Sequence, residues 1–374
     1  MSAMPLTMYG MRVSGHAART RSYFIKAGIP FCERAPSTAH YLGTVVPLAG
    51  GKSTMPTIEF PDGRVIRDSA AIVDHFEAET GHRFSPATPK QRIVSRLVDL
   101  FGQEGMLRPG MHYRWNFDAE NLAYLESQTR RILPAGVDTD AMIRLPHDRT
   151  RSATRRFGVN PDTRDAVESL FADQLAAFDR HFAHCPYLLG GRPCIGDFGL
   201  MIMLHPHLGR DPMPLSLMHA NGMAVLRWTE RMNQHGADFT EFEGWDEAYL
   251  PDDEIPDTLI DLLRVMAEDF VPETLAAAEA INAWIEAQDT LEAGTPFERG
   301  VGFGEFELRG RTISALAQPY RFWRLKFVQD EYAALSAEDR GTVDALLEAC
   351  GMAPSLGPRL TREIGRRDNL EVWL

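Results

Sequence analysis

Cysteine is scarce in this sequence, and the few cysteines lie far apart. No two of them form a C-x-x-C pair, so the sequence does not indicate a disulfide framework. We interpret them as reduced thiols. The four positions are Cys32, Cys185, Cys194 and Cys350.

A metal-binding pattern is also missing. The pair His205 and His207 stands out, but no carboxylate pattern and no H-E-x-x-H motif completes a ligand set around it. We therefore predict no metal site and interpret these histidines as packing and surface residues.

Positive charge and long apolar runs are both in short supply. Lys and Arg number 39 against 52 Asp and Glu, and the formal charge of −13 repels phosphate backbones and anionic membrane surfaces. No stretch is long and apolar enough to span a bilayer, and the first residues lack a cationic segment followed by an apolar run. We expect a cytoplasmic protein that binds neither nucleic acid nor membrane.

The composition is otherwise that of a folded protein with more than one domain. Apolar residues make up 44% of the 374 positions, enough for a sizeable core, and a chain of this length suggests two or three domains. The patterns predict a first domain over 1–83, a helical domain over 90–235 and a further helical extension over 236–374.

The first domain alternates strand-like and helix-like segments. An Asp-Gly pair at 62–63 is a strong hairpin signal, and Gly28 suits a helix end. The order strand, helix, strand, hairpin, helix predicts a small mixed sheet covered by helices, which is an α/β thioredoxin-like fold. The predicted elements are strand Leu6–Tyr9, helix His16–Ala27, an extended piece from Pro30, strands Thr57–Phe60 and Arg64–Arg67, and helix Ser69–Glu79.

The rest of the chain is patterned as helices. Apolar residues recur at helical spacing after the proline-marked segment 84–89 and again over 163–182. Further helices are predicted at 225–232, 257–270, 272–287, 319–335 and 337–350. The fold class is therefore an α/β thioredoxin-like domain followed by an all-α domain, with a mostly helical remainder.

One segment, MPTIEFPDGRVIRDSAAI from Met55 to Ile72, carries a specific signal. It resembles the glutathione-site segment of cytosolic glutathione transferases, in which a proline precedes a hairpin and an acidic-Ser pair opens the next helix. The resemblance implies that Pro56 is cis and that the backbone of Met55 pairs with the cysteinyl part of glutathione. Outside that resemblance, Pro56 is an ordinary proline at the start of a strand.

The acidic-Ser pair and a nearby lysine are the other glutathione ligands that the resemblance implies. Asp68 and Ser69 present a hydroxyl, N–H groups and a helix dipole to the γ-glutamyl carboxylate, although either residue type is also a common helix cap. Lys52 is the expected cation for a carboxylate of glutathione. Family members often place such a lysine closer to the proline, so Ser53 and Thr54 are interpreted as a small insertion.

The resemblance implies that Ser14 activates the glutathione thiol, with Tyr9 as the alternative. Ser14-Gly15-His16-Ala17 occupies the place of the family's Ser-Pro-x-Ser or Cys-Pro-x-Cys turn. A Ser hydroxyl and a helix N-terminus together lower the pKa of a bound thiol. Other branches of the family use a tyrosine near the end of the first strand, where Tyr9 stands. Both residues also have structural interpretations, Ser14 as a helix cap and Tyr9 as a packed aromatic.

A second match lies in the helical part. Residues 171–200 resemble the helix, Tyr-Leu-x-Gly turn and buried helix of the transferase C-terminal domain; their sequence is FADQLAAFDRHFAHCPYLLGGRPCIGDFGL. Cys194 stands at the cap position of the buried helix, and Asp197 is retained. We interpret both residues as structural.

The resemblance as a whole predicts a homodimeric glutathione transferase. Glutathione would be the co-substrate, and the acceptor would be a small, hydrophobic electrophile bound between the domains. Two alternatives stay open: a glutathione-dependent lyase, dehalogenase or isomerase, and a non-catalytic binding protein with the same fold. The sequence leaves the role of 236–374 undecided.

Overall fold

The N-terminal part of the computed structural model, which describes residues 5–134 and 139–374, is a four-stranded sheet flanked by helices. The strand order is β2-β1-β3-β4, with β1 and β2 parallel and the other two pairs antiparallel. The predicted thioredoxin-like fold is confirmed. Its elements are β1 (Leu6–Tyr9), α1 (Gly15–Ala27), β2 (Phe31–Arg34), α2 (Val46–Leu48), β3 (Thr57–Glu59), β4 (Val65–Arg67) and α3 (Ser69–Glu79).

Local chemistry accounts for the boundaries of these elements. Ser14 accepts the Ala17 N–H at the start of α1, and Gly28 ends the helix at φ 68°. Between β3 and β4, Gly63 adopts φ 86°, while the Asp62 carboxylate accepts the Arg64 N–H at 3.0 Å. The predicted Asp-Gly hairpin therefore forms.

The middle of the chain is helical, as predicted. None of its helices, nor any other in the described part of the chain, is long and apolar enough to cross a membrane. The helices are α4 (Pro89–Leu100), α5 (Leu107–Trp115), α6 (Asp118–Arg130), α7 (Thr139–Arg156), α8 (Arg164–His184), α9 (Ile195–Leu204), α10 (Pro212–Asn221) and α11 (Met223–Met232), with a π-helical segment at Phe101–Gly105.

Helix α9 is buried throughout, and Asp197 holds its N-terminus. The Asp197 carboxylate accepts the backbone N–H groups of Cys194 and Leu188 and the indole N–H of Trp228. Burial raises the pKa of Asp197 to about 6. Cys194 is the N-cap, as the sequence indicates, and both residues are structural here.

Residues 236–374, which we call the appended region, contain strands as well as helices. The expected helical extension left out these strands, and the expectation of separate helices at 257–270 and 272–287 is wrong. One helix runs through Pro272 because its neighbours Phe270, Val271 and Thr274 are buried, and packing outweighs the missing N–H. The elements are α12 (Asp257–Glu286), β5 (Phe303–Leu308), β6 (Arg311–Leu316), α13 (Pro319–Ala333), α14 (Ala337–Ala349), β7 (Ile364–Arg367) and β8 (Leu370–Trp373).

The β7–β8 hairpin docks on the edge of the N-terminal sheet. Strand β4 is the edge strand, and Asn369 at the hairpin tip accepts the Arg67 N–H at 3.2 Å and donates to the Val65 carbonyl at 3.0 Å. The Arg67 guanidinium bonds Glu371 at 2.6 Å in a buried ion pair. The appended region thereby covers backbone groups that an edge strand would otherwise expose.

A buried ionic network joins the appended region to the middle helices. Arg108 of α5 bonds Asp269 at 2.5 Å and Glu273 at 2.7 Å, and Arg321 of α13 bonds the other oxygen of Glu273 at 2.5 Å. The charges are excluded from water, so each carboxylate depends on the guanidinium that neutralises it.

We predict that Arg108→Ala lowers the free energy of unfolding by about 3–5 kcal/mol, because the buried Asp269 loses its counter-charge and Glu273 keeps only Arg321. Arg264→Ala is the matched control. Its ion pair with Asp261 is half-exposed, so its loss should cost about 0–1 kcal/mol. Urea unfolding of the two variants measures the difference, and equal midpoints would contradict the structural importance of the network.

Candidate functional site

A large cavity of about 990 Å³ lies between the N-terminal sheet domain, the middle helices and the appended region. Its volume is at the upper end of the range for small-molecule sites. Side chains from all three parts line it, among them Ser14, His16 and Met55, then Met111, Trp115 and Met203, then Arg299 and Leu316.

Ser14 is the N-cap residue of helix α1. It has extended backbone angles, is half-buried, and its Oγ accepts the Ala17 N–H at 3.4 Å. No group of the described residues accepts the Ser14 hydroxyl hydrogen, so that hydrogen is available to a ligand in the cavity. The residue therefore combines the cap that its sequence position allows with a free donor.

Gly15 differs from the family turn for a steric reason. A Cβ at this position would lie 2.5 Å from the carbonyl oxygen of Ile202 in α9. Helix α9 packs so closely on the start of α1 that no side chain fits there. The missing proline thus reflects the packing of α1 on α9.

Met55 precedes a cis proline, as the resemblance implies. Met55 lines the cavity, whereas Pro56 is buried behind it. No backbone hydrogen bond of Met55 occurs within the described residues, although the adjacent Thr57 pairs with Tyr9 in the sheet. Met55 therefore presents the kind of unpaired backbone edge to which an extended peptide can add.

Ser69 and Asp68 lie at the start of α3 and are held by different partners. Ser69 is fully buried, with its Oγ 3.2 Å from Nδ1 of His16. Asp68 is the N-cap at φ 82°, accepting the N–H groups of Ala70 at 2.9 Å and Ala71 at 3.2 Å. The structure thus brings Ser69 against a residue that lines the cavity.

Tyr320 of the appended region also reaches Asp68. Its hydroxyl donates to both carboxylate oxygens at 3.0 Å. Burial opposes ionisation of Asp68, but the positive charges of Arg366 and Arg67 keep its pKa below the ordinary value. Asp68 is therefore an ionised link between α3 and the appended region.

Tyr9 and Lys52 do not line the cavity. The Tyr9 hydroxyl donates to Glu59 at 2.8 Å, and burial together with this carboxylate raises its pKa. Lys52 is half-exposed beyond Ser53, which does line the cavity. Of the residues selected from the sequence, Ser14 and Met55 share the cavity directly, and Ser69 joins them through His16.

His16 and Glu104 were not selected from the sequence. Burial lowers the pKa of His16 to about 4, so its ring is neutral near pH 7. Burial raises the pKa of Glu104 to about 7, and its Oε2 has no hydrogen-bond partner within the described residues. His16 could have been found from its place in the Ser-Gly-His-Ala turn. No sequence signal marks Glu104, which lies in the π-helical segment after α4.

The other side of the cavity is apolar. Leu107, Met111, Trp115, Leu125 and Met203 lie on α5, α6 and α9 and face the cavity. Such a surface suits a hydrophobic molecule placed against a group held by Ser14 and Met55. The arrangement can therefore hold a polar peptide beside an apolar partner.

Comparison with known proteins gives one family match. Residues 8–84 match the model of the glutathione S-transferase N-terminal domain. No curated protein matches the chain in sequence.

Several solved structures resemble the fold at low identity. GSTFuA3, a glutathione transferase from Phanerochaete chrysosporium, is 15% identical, with 62% of this chain and 97% of that chain covered and a TM-score of 0.44. The β-etherase LigF from Sphingobium sp. strain SYK-6 is 15% identical, with coverage of 64% and 99% and a TM-score of 0.42. FzlA from C. crescentus is 15% identical, with coverage of 69% and 99% and a TM-score of 0.39.

These structural likenesses do not bear on activity. The identification depends instead on the family match, which covers β1 to α3 together with Ser14, Met55, Pro56, Asp68 and Ser69. Residues 8–84 therefore form a glutathione S-transferase N-terminal domain, which the middle helices and the appended region follow in the chain.

Proposed function

We propose that this chain binds glutathione in the large cavity and holds its sulfur as a thiolate for attack on a small apolar electrophile. The observation that carries the proposal is the meeting of Ser14 and Met55 in one cavity with an apolar opposite side. Ser14 offers a free hydroxyl hydrogen, and Met55 offers an unpaired backbone edge. A cysteinyl residue paired with Met55 would find both a donor for its sulfur and space for a second substrate.

The chemistry needs a thiolate, because the thiolate rather than the thiol is the nucleophile. A hydrogen bond from Ser14 and the N-terminal N–H groups of α1 favour the charged sulfur and lower the thiol pKa. The thiolate then uses an electron pair to form a bond to an electrophilic carbon. A leaving group departs with its own electron pair, or, in an addition, the substrate takes up a proton from water.

We predict that Ser14→Ala raises the pKa of the bound glutathione thiol by roughly 1 to 2, because a hydrogen bond to a charged group contributes about 1.5–3 kcal/mol. Tyr9→Phe is the control and should leave that pKa unchanged, because the Tyr9 hydroxyl is bonded to Glu59. Thiolate absorbance of the complex, followed against pH, measures both. A shift in Tyr9→Phe with none in Ser14→Ala would reverse the assignment.

We predict that Ser69→Ala weakens glutathione binding about ten-fold or more, because the γ-glutamyl carboxylate loses a hydroxyl donor at the start of α3. Ser336→Ala, which removes the remote cap of α14, is the matched control and should bind as the unmodified chain does. Calorimetric titration measures both dissociation constants. Equal binding by Ser69→Ala and the unmodified chain would place the tripeptide elsewhere.

A non-catalytic glutathione-binding protein is the second candidate. It is favoured by Ala17, which lacks the hydroxyl or thiol often found there, and by the contact of Ser69 with His16. A broad panel of electrophiles separates the candidates. Product formation supports the transferase, release of halide or cleavage of an ether or thioether supports a dehalogenase or lyase, and a silent panel with intact glutathione binding supports the binding protein.

The homodimer expected from the resemblance stays a prediction. Light scattering of the purified chain should give twice the mass of one chain at micromolar concentration. A mass equal to one chain across the concentration range would contradict it.

A further inference from the structure

We propose that Arg299, which belongs to the appended region, binds the γ-glutamyl carboxylate of glutathione. This inference depends on the proposed function, since it names a ligand of the same site. Arg299 lies in the segment between α12 and β5 and lines the large cavity together with Ser14, His16 and Met55. A site built on the N-terminal domain is thus completed by a residue from the far end of the chain.

The backbone on both sides of Arg299 is held in place. Before it, Phe297 donates its N–H to the Glu371 carbonyl at 3.2 Å. After it, Val301 donates to the Ala317 carbonyl at 3.0 Å, and Ala317 donates to the Gly302 carbonyl at 2.8 Å. A guanidinium carried by such a fixed segment loses less conformational entropy when it binds a ligand.

The Arg299 guanidinium has no counter-ion among the described residues. Within residues 5–134 and 139–374 no carboxylate forms an ion pair with it. Other arginines, by contrast, form ion pairs within the protein. Arg108 pairs with Asp269 and Glu273, and Arg324 pairs with Asp74. Arg299 is therefore a cation at the cavity that can form an ion pair with a bound anion.

The positive charge of Arg299 acts on the Ser69 end of the cavity. It adds to the burial that lowers the pKa of His16, whose Nδ1 lies 3.2 Å from Ser69 Oγ, and it opposes the burial that raises the pKa of Glu104. His16 is neutral and cannot supply this charge itself. A carboxylate placed beside Ser69 would accept its hydroxyl hydrogen bond and meet the Arg299 guanidinium, which is the pairing that favours arginine for carboxylates.

Lys52, the cation selected from the sequence, is less well placed for this role. It does not line the cavity, whereas Arg299 does. Lys52 is half-exposed and close to Met55 in the chain, so it is available for the other carboxylate of a tripeptide that pairs with Met55. The two cations would then serve the two carboxylates, Arg299 the γ-glutamyl and Lys52 the glycyl one.

The chain offers a matched control in Arg156. It is exposed, lines the same cavity and has no ion pair within the described residues, but it stands at the end of α7, whereas Arg299 lies between α12 and β5. Its loss removes the same charge from the same cavity and leaves Arg299 in place. Comparing the two arginines separates a specific contact from general attraction of an anion.

Calorimetric titration with glutathione, using the full chain, tests the proposal. Arg299→Ala should weaken binding about 10- to 100-fold, Arg299→Lys should recover part of the loss, and Arg156→Ala should bind within about two-fold of the unmodified chain. The thermal midpoints of the variants, whose side chains are exposed, should be unchanged.

A second titrant identifies the carboxylate. 4-Aminobutyryl-cysteinylglycine lacks only the γ-glutamyl carboxylate, so it should bind the unmodified chain and Arg299→Ala equally. A further loss in Arg299→Ala would overturn the assignment to that carboxylate. Tight glutathione binding by Arg299→Ala would overturn the inference alone, whereas no binding by the unmodified chain would overturn the proposed function with it.

Discussion

The ionised carboxylate of Asp68 is the group on which the site depends, because the N-terminal domain and the appended region meet there. It caps α3 through Ala70 and Ala71, it accepts the Tyr320 hydroxyl from the appended region, and it precedes Ser69, which contacts the cavity residue His16. A buried carboxylate stays ionised only if a positive charge lies nearby, and Arg366 of the C-terminal hairpin supplies that charge. The N-terminal domain and the appended region are thus joined electrostatically next to Ser69.

This junction explains why the appended region belongs to the site rather than standing apart from it. Asn369 covers the edge of β4, Glu371 pairs with Arg67, and Arg299 and Leu316 reach the large cavity. If a ligand contacts Arg299, its binding free energy also stabilises the docked state of the whole region, by linkage. Ligand affinity and the attachment of residues 236–374 then become coupled quantities, which neither the N-terminal domain nor the appended region would show alone.

Local signals predicted the N-terminal fold well. Asp62-Gly63, Gly28 and the Asp68-Ser69 pair act on their immediate neighbours, and the corresponding hairpin, helix end and helix start all form. The roles of Ser14, Lys52 and Ser69 toward glutathione stay predictions. The β5–β6 hairpin was missed; the structure shows Phe303–Leu308 alternating between exposed and buried positions and Arg309-Gly310 at positive φ, as in a tight hairpin. The contacts of Tyr320 with Asp68 and of Arg299 with the cavity join residues distant in sequence, and no local pattern encodes them.

A crystal structure of the full chain with glutathione tests the account most directly. We expect the cysteinyl backbone to pair with Met55, the sulfur to lie within hydrogen-bond distance of Ser14 Oγ, and the γ-glutamyl carboxylate to lie between Ser69 and Arg299. Glutathione bound away from Met55 and Ser14, or a large cavity that stays empty of it at saturating concentration, would contradict the account.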